Sequence, residues 1–202
     1  MDLAVIALTF GTVFLVELPD KTMLATLVLS TRFRPLLVWI GVSAAFTVHM
    51  AIAVGLGKAV AFLPDQLVKG GTAALFLTGA VLLLREARTA DADEPGTEAE
   101  YAAKADAAGG RRGAWATVVT CFLVLFTAEW GDLSQLLVLS LAARYDAPFS
   151  VFSGATAALV GVAGLAVLVG RWLLARISLG TLHYVGAGIC LLLAAVTLYE
   201  LV

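Results

Sequence analysis

Residues 10–33 read FGTVFLVELPDKTMLATLVLSTRF, and residues 122–145 read FLVLFTAEWGDLSQLLVLSLAARY. Laid over each other at an offset of 112, they pair Phe10 with Phe122, Phe14 with Phe126, Glu17 with Glu129 and Asp20 with Asp132. Thr22 then meets Ser134, Arg32 meets Arg144 and Phe33 meets Tyr145. One inserted residue later, Gly41 meets Gly154 and Gly57 meets Gly170. Chance supplies aliphatic matches between any two apolar runs. It does not readily supply two acids, an arginine and three aromatic positions in register, so the chain reads as a duplication.

Composition says where the duplication sits. Of 202 residues, 61% are hydrophobic and 14% charged, with a mean hydropathy of +0.97, whereas a soluble domain runs nearer ~45–50% and ~25%. A chain this size has too much surface to hide that excess in a core. A soluble enzyme and a disordered chain are both excluded. Apolar runs fall at roughly 3–31, 36–57, 67–86, 113–143, 149–170 and 179–199. Each reaches the ~20 residues a helix needs to cross the hydrocarbon layer, and none shows the ~10-residue alternation of a membrane barrel. The expected fold is an all-α polytopic membrane protein of six transmembrane helices. It divides into a first three-helix repeat (1–86), an acidic linker (87–112) and a second three-helix repeat (113–202). Three spans is an odd number, so the second repeat enters the bilayer from the opposite face, as in many secondary transporters. The first run lacks a basic n-region and a small-residue cleavage site, and reads as a retained span.

Lys and Arg set the orientation. The loops between runs 1 and 2, 3 and 4, and 5 and 6 hold Arg32, Arg34, Arg85, Arg88, Lys104, Arg111, Arg112, Arg171 and Arg176; the other two loops hold only Lys58, Lys69 and Arg144. The positive-inside bias places the linker in the cytoplasm and both termini outside, which in a bacterium means the inner membrane. The linker itself reads as a solvated segment with a helical turn or two around 98–108. The net charge of −2 is a near-cancellation of 13 bases and 15 acids; no basic stripe points to nucleic acid. Cys121 and Cys190 sit in apolar runs without close-spaced partners and read as packing residues. Trp39, Trp115 and Trp172, near run ends, read as interfacial anchors.

The costly residues are Glu17, Asp20, Glu129, Asp132 and Lys21. Each lies within a long apolar run, where a charge costs at least ~2.5–3.5 kcal/mol. Function, pairing or protonation has to offset that. Glu and Asp at i and i+3 face one side of a helix, so each repeat offers a two-carboxylate face. Pro19 stands between the first pair and disturbs the helix; Gly131 stands at the matching place and permits a bend. Broken helices free backbone carbonyls, and Thr22 and Ser134 add hydroxyls. Such a set of hard oxygen donors suits Mg²⁺, Ca²⁺ or Mn²⁺ rather than copper or zinc. Gln135 and Met23 occupy matched positions one residue on, where an amide or thioether could bias the site toward softer Mn²⁺, although Met23 reads first as plain packing. His49, whose repeat partner is Val162, reads first as a satisfied polar packing residue and second as a proton relay or metal neighbour.

Glu17-Leu18-Pro19-Asp20-Lys21-Thr22 and Glu129-Trp130-Gly131-Asp132-Leu133-Ser134-Gln135 resemble the duplicated Glu-x-Gly-Asp-(Lys/Arg)-(Ser/Thr) signature of the UPF0016/Gdt1 family. The resemblance covers nearly the whole chain. It implies a secondary transporter of Mn²⁺ or Ca²⁺ that exchanges the metal for protons, with no permanent cofactor and no enzymatic activity. The compact form is similar to the bacterial branch, where manganese export is the usual role; a Ca²⁺/H⁺ exchanger is the alternative. The metal-ligating set it implies is Glu17, Asp20, Glu129, Asp132, Thr22, Ser134 and Gln135, with Lys21, Met23 and His49 as modulators. Two positions depart from the signature: Pro19 replaces its first glycine, and Leu133 its second basic residue. Three rival classes are weaker. A thiol–disulfide electron conduit lacks cysteines at matched repeat positions. An intramembrane hydrolase has no need of a duplicated acidic face. A proton-coupled carrier of organic cations differs only in its cargo.

Overall fold

A computed structural model describes residues 1–18, 21–62, 64–88, 99–104, 113–174 and 179–199. The side chains of Lys21, Asp65, Glu86, residues 169–174 and 179–183, and Gly186 are not among the described ones. Pro19, Asp20, the Lys21 side chain, most of the linker and the Trp172 side chain therefore lie outside the described part of the molecule.

All described secondary structure is helical. The first apolar run is two helices, α1 (Leu3–Glu17) and α2 (Lys21–Arg32), and the fourth run is likewise α6 (Ala114–Ala128) and α7 (Leu133–Arg144). Each pair has the length and composition of one span, broken by turns of 71° and 75°. Both breaks fall at the acidic motifs, as the Pro19 and Gly131 reading requires. Between and after them run α3 (Pro35–Val60), α4 (Asp65–Glu86), α8 (Pro148–Leu174) and α9 (Leu179–Tyr199), and residues 99–104 of the linker form a short helix, α5. By length and composition, α3, most of α4 and the first 21 residues of α8 can each cross a membrane. The two broken pairs bring the number of such segments to five, and the described apolar part of α9, Ala187–Tyr199, is shorter. Large apolar side chains such as Leu56, Leu77, Leu82, Leu168 and Leu192 lie on the outside; a bilayer is the solvent that suits them.

Without a hydrophobic force between helices in lipid, close backbone approach has to hold the bundle. Gly41 on α3 shows how. A Cβ there would lie 2.6 Å from the Val118 carbonyl oxygen, 2.9 Å from Cys121 Cβ and 3.2 Å from Phe122 N. Gly154 on α8 meets the repeat-equivalent atoms of the other half: Ile6 O at 2.6 Å, Thr9 Cβ at 3.1 Å and Phe10 N at 3.2 Å. The stacked pairs Phe10–Phe14 and Phe122–Phe126 repeat the correspondence, with centroids 5.5 and 5.4 Å apart. Each half thus packs its broken helix on the long central helix of the other, α1 on α8 and α6 on α3, while α3 and α8 touch each other and α4 pairs with α9. Gly57 repeats the device against Leu139 O of α7, at 2.5 Å.

Two side chains sit otherwise than their sequence suggests. Trp39 reaches across helices: its indole N–H donates to the Val160 carbonyl at 3.1 Å and its ring lies against Gly164, so it straps α3 to α8. Tyr101 of α5 is buried rather than solvated, although Glu100 and Lys104 on the same helix are exposed and paired at 2.6 Å.

Glycine substitutions test this packing. Gly41→Val and Gly154→Val are each expected to destabilise by about 1–3 kcal/mol through overpacking. Gly55→Ala, on α3 with nothing within 4 Å of its added Cβ, is expected to be neutral or to stabilise by up to about 1 kcal/mol. Thermal unfolding of the detergent-solubilised protein reads both.

Candidate functional site

The second break can be followed atom by atom. Helix α6 runs out at Ala128; Glu129 caps it, its N–H donating to Leu125 O at 3.0 Å. The chain then turns through Gly131, whose φ of +80° is the only positive value among the described residues. A side chain there would be strained whatever space it had. Asp132 opens α7 as its N-cap, accepting from Ser134 N at 3.2 Å and Ser134 Oγ at 3.3 Å. A carboxylate at that place satisfies orphan N–H groups and faces the positive end of the helix dipole. The break is therefore an anion-stabilising structure in an apolar setting.

A polar chain fastens this break to α3. Gly131 N–H donates to Gln135 Oε1 at 2.9 Å, and Gln135 Nε2 lies 3.0 Å from His49 Nδ1. His49 Nε2 lies 3.1 Å from the Phe126 carbonyl, in the last turn of α6, where helical carbonyls run out of partners within the helix. The roles follow from chemistry. A backbone N–H only donates, so Gln135 must present its oxygen to Gly131 and its NH₂ to His49. His49 Nδ1 must then accept, and Nε2 must carry the proton that goes to Phe126 O. His49 is buried at 2% exposure, with Phe126 and Trp130 rings 4.6 and 5.8 Å away.

Acids from both repeats line one cavity. A cavity of about 310 Å³ is lined by Glu17 at the end of α1, by Glu129 and Asp132 from the second break, and by Gly131. Its other walls are Val16, Ala128, Leu133 and Leu136, the α4 residues Leu75, Thr78, Gly79, Leu82 and Leu83, and Tyr101 of α5. At ~30 Å³ per water that is room for about ten molecules, enough for a divalent ion with part of its hydration shell. Glu17 and Glu129 are both buried. Leu133, standing where the signature has a base, lies against the bare backbone of Gly79: a Cβ at Gly79 would come 2.6 Å from Leu133 Cδ1.

The other expected site residues are placed differently. Ser134 serves Asp132 and Gln135 serves Gly131 and His49, and neither is among the cavity's lining residues. Thr22 and Met23 are buried on α2, also outside the lining. Asp20 and the Lys21 side chain lie outside the described residues. Among the described residues no three His, Cys, Asp or Glu side chains converge closely enough to hold one ion directly. Tyr101, Thr78 and Gly79 are not legible as site residues in the sequence: a tyrosine in a polar linker and a threonine and glycine in an apolar run carry no chemical pattern.

The family described as "Divalent cation/proton antiporter GDT1" matches residues 5–91 and 117–202. A "GDT1-like protein sll0615" of Synechocystis is 33% identical over 90% of this chain and 90% of its own length. A Vibrio cholerae protein named "Putative manganese exporter" is 29% identical over 98% of this chain and 92% of its own length. "Protein PAM71, chloroplastic" of Arabidopsis thaliana is 33% identical over 97% of this chain, which spans 57% of that longer protein. No solved structure matches. A duplicated acidic signature, two broken apolar helices and a match over most of both halves agree: this chain belongs to the Gdt1 family of divalent cation/proton antiporters, which are membrane transporters.

Proposed function

We propose that the chain exports Mn²⁺ from the cytoplasm in exchange for protons, through the cavity where its two acidic breaks meet. The observation that carries this reading is that Glu17 from one repeat and Glu129 and Asp132 from the other line one volume. Asp20, the fourth acid of the duplicated motif, is assigned to the same site by its repeat equivalence to Asp132. Carboxylate and water oxygens suit Mn²⁺ and Ca²⁺, and the Vibrio cholerae relative is named for manganese export.

Coupling follows from competition for the same oxygens. Carboxylates crowded into an apolar protein need positive charge nearby, supplied by either a divalent ion or protons. A bound ion holds them ionised; after it leaves, protons neutralise some of them and the empty site returns without stranded charge. The two three-helix halves act as inverted repeats that rock against each other, opening the site to each side in turn. The protein resides in the cell membrane, with the linker in the cytoplasm and both termini outside.

Uptake into proteoliposomes under an imposed pH gradient is the primary test, with Mn²⁺, Ca²⁺, Mg²⁺ and Zn²⁺ as separate arms. Glu17→Gln, Glu129→Gln and Asp132→Asn are each expected to lower Mn²⁺ flux by about two orders of magnitude or more, since one lost ligand charge in an apolar site costs several kcal/mol. Intact flux in these variants overturns the assignment, and faster Ca²⁺ than Mn²⁺ exchange would move the cargo to calcium. Tyr101→Ala is expected to expose the cavity, so that a cysteine introduced at Thr78 reacts several-fold faster with a membrane-impermeant maleimide. Reporter fusions check the orientation: termini outside and residue 98 inside are expected, and the reverse overturns the positive-inside reading.

A further inference from the structure

The chain His49–Gln135–Gly131 is not itself duplicated: its repeat counterparts lack its chemistry at every position. His49 corresponds to Val162, which has no polar side-chain atom; Gln135 corresponds to Met23, a thioether without a donor; Gly131 corresponds to Pro19, which has no N–H. At three separate positions the network has the donor or acceptor it needs, and the repeat-equivalent residue is unable to make the same bond. A single polar residue stranded in one half would be unremarkable. Three that bond to one another, each facing a counterpart without that capacity, form a unit.

We infer that His49 is a positioning residue: acting through Gln135, it pins the Glu129–Asp132 break to α3 and so pre-organises that part of the site. The lock works at both ends of the break. His49 Nε2–H holds the Phe126 carbonyl at the close of α6, and Gln135 holds the Gly131 N–H just ahead of Asp132. Glu129 lies between those two fixed points. Fixing a turn that carries two site carboxylates removes ordering cost from ion binding. Val162, Met23 and Pro19 cannot form this lock, so the repeats, alike in their acids, do not share it. The expectation for His49 as a satisfied polar residue is thereby sharpened: what it satisfies is the site's backbone.

The inference uses the transport reading only for its flux measurement, so a second readout stands apart from it. In full-length protein labelled with ¹⁵N-histidine in lipid nanodiscs, and with His183→Gln to assign the signals, His49 is expected as one neutral tautomer. Its proton sits on Nε2, its Nδ1 shows the shift of a hydrogen-bond acceptor, and that shift is lost in Gln135→Met. A proton on Nδ1, or a spectrum that Gln135→Met leaves unchanged, overturns the lock. In proteoliposomes, His49→Val and Gln135→Met are each expected to raise the half-saturating Mn²⁺ concentration by about five- to tenfold, the worth of a hydrogen bond, with maximal flux much less affected. The double variant should be no worse than the worse single one, because both dissolve the same network; effects that multiply overturn the inference. His49→Gln, which keeps a donor and an acceptor, should recover part of the loss. A wild-type protein without Mn²⁺ flux sinks the transport reading and leaves the imidazole spectrum to decide the lock.

Discussion

A carboxylate in an apolar protein needs compensating partners, and the rest of this molecule is arranged around that demand. An unbroken helix offers its mid-span acids no backbone donors, because every N–H is already given to a carbonyl four residues back. Breaking the helix at the acid changes the supply. At the second break, Asp132 caps a new helix and takes the Ser134 N–H and hydroxyl. The break also exposes the end of α6, whose Phe126 carbonyl needs a donor and receives one from His49. The bend, the cap and the imidazole are answers to one electrostatic problem.

The packing then decides that the end of α1 and the second break line one cavity. Bare backbone at Gly41 and Gly154 lets each broken helix press on the central helix of the other half. A cavity between them gathers Glu17, Glu129 and Asp132. The far wall comes from α4 and from Tyr101 of α5, so the linker lines the cavity rather than acting as a tether alone. Gly79 opens that wall enough for Leu133, which explains how an apolar side chain is accommodated where the signature carries a base.

Symmetry at this site is partial, and the departure has a physical pattern. The carboxylates and the hydroxyls beside them are duplicated in sequence. The polar brace is single. Proline cannot supply an N–H or adopt the positive φ seen at Gly131, so the first break cannot repeat the geometry of the second, and Met23 and Val162 carry no donor to match. The two halves share their acids and do not share this brace.

Much of the fold is legible in the sequence because its signals are costs or periodicities. Four acids in apolar runs, Pro19 and Gly131 between them, and runs of spanning length mark both breaks and the apolar helices on either side of them. Those features depend on local chemistry, which a chain carries wherever it folds. What only tertiary structure decides depends on distances between segments far apart in sequence. Gln135 reads in sequence as a ligand, and only the fold shows that its amide lies between Gly131 and a histidine 86 residues away. Trp39 also straps α3 to α8, a role its sequence does not show, because the Val160 carbonyl of the other helix lies beside its indole N–H. Tyr101 looks like part of a solvated linker and lines the cavity. A side chain's partner is fixed by where the helices cross, and periodicity alone does not give that crossing.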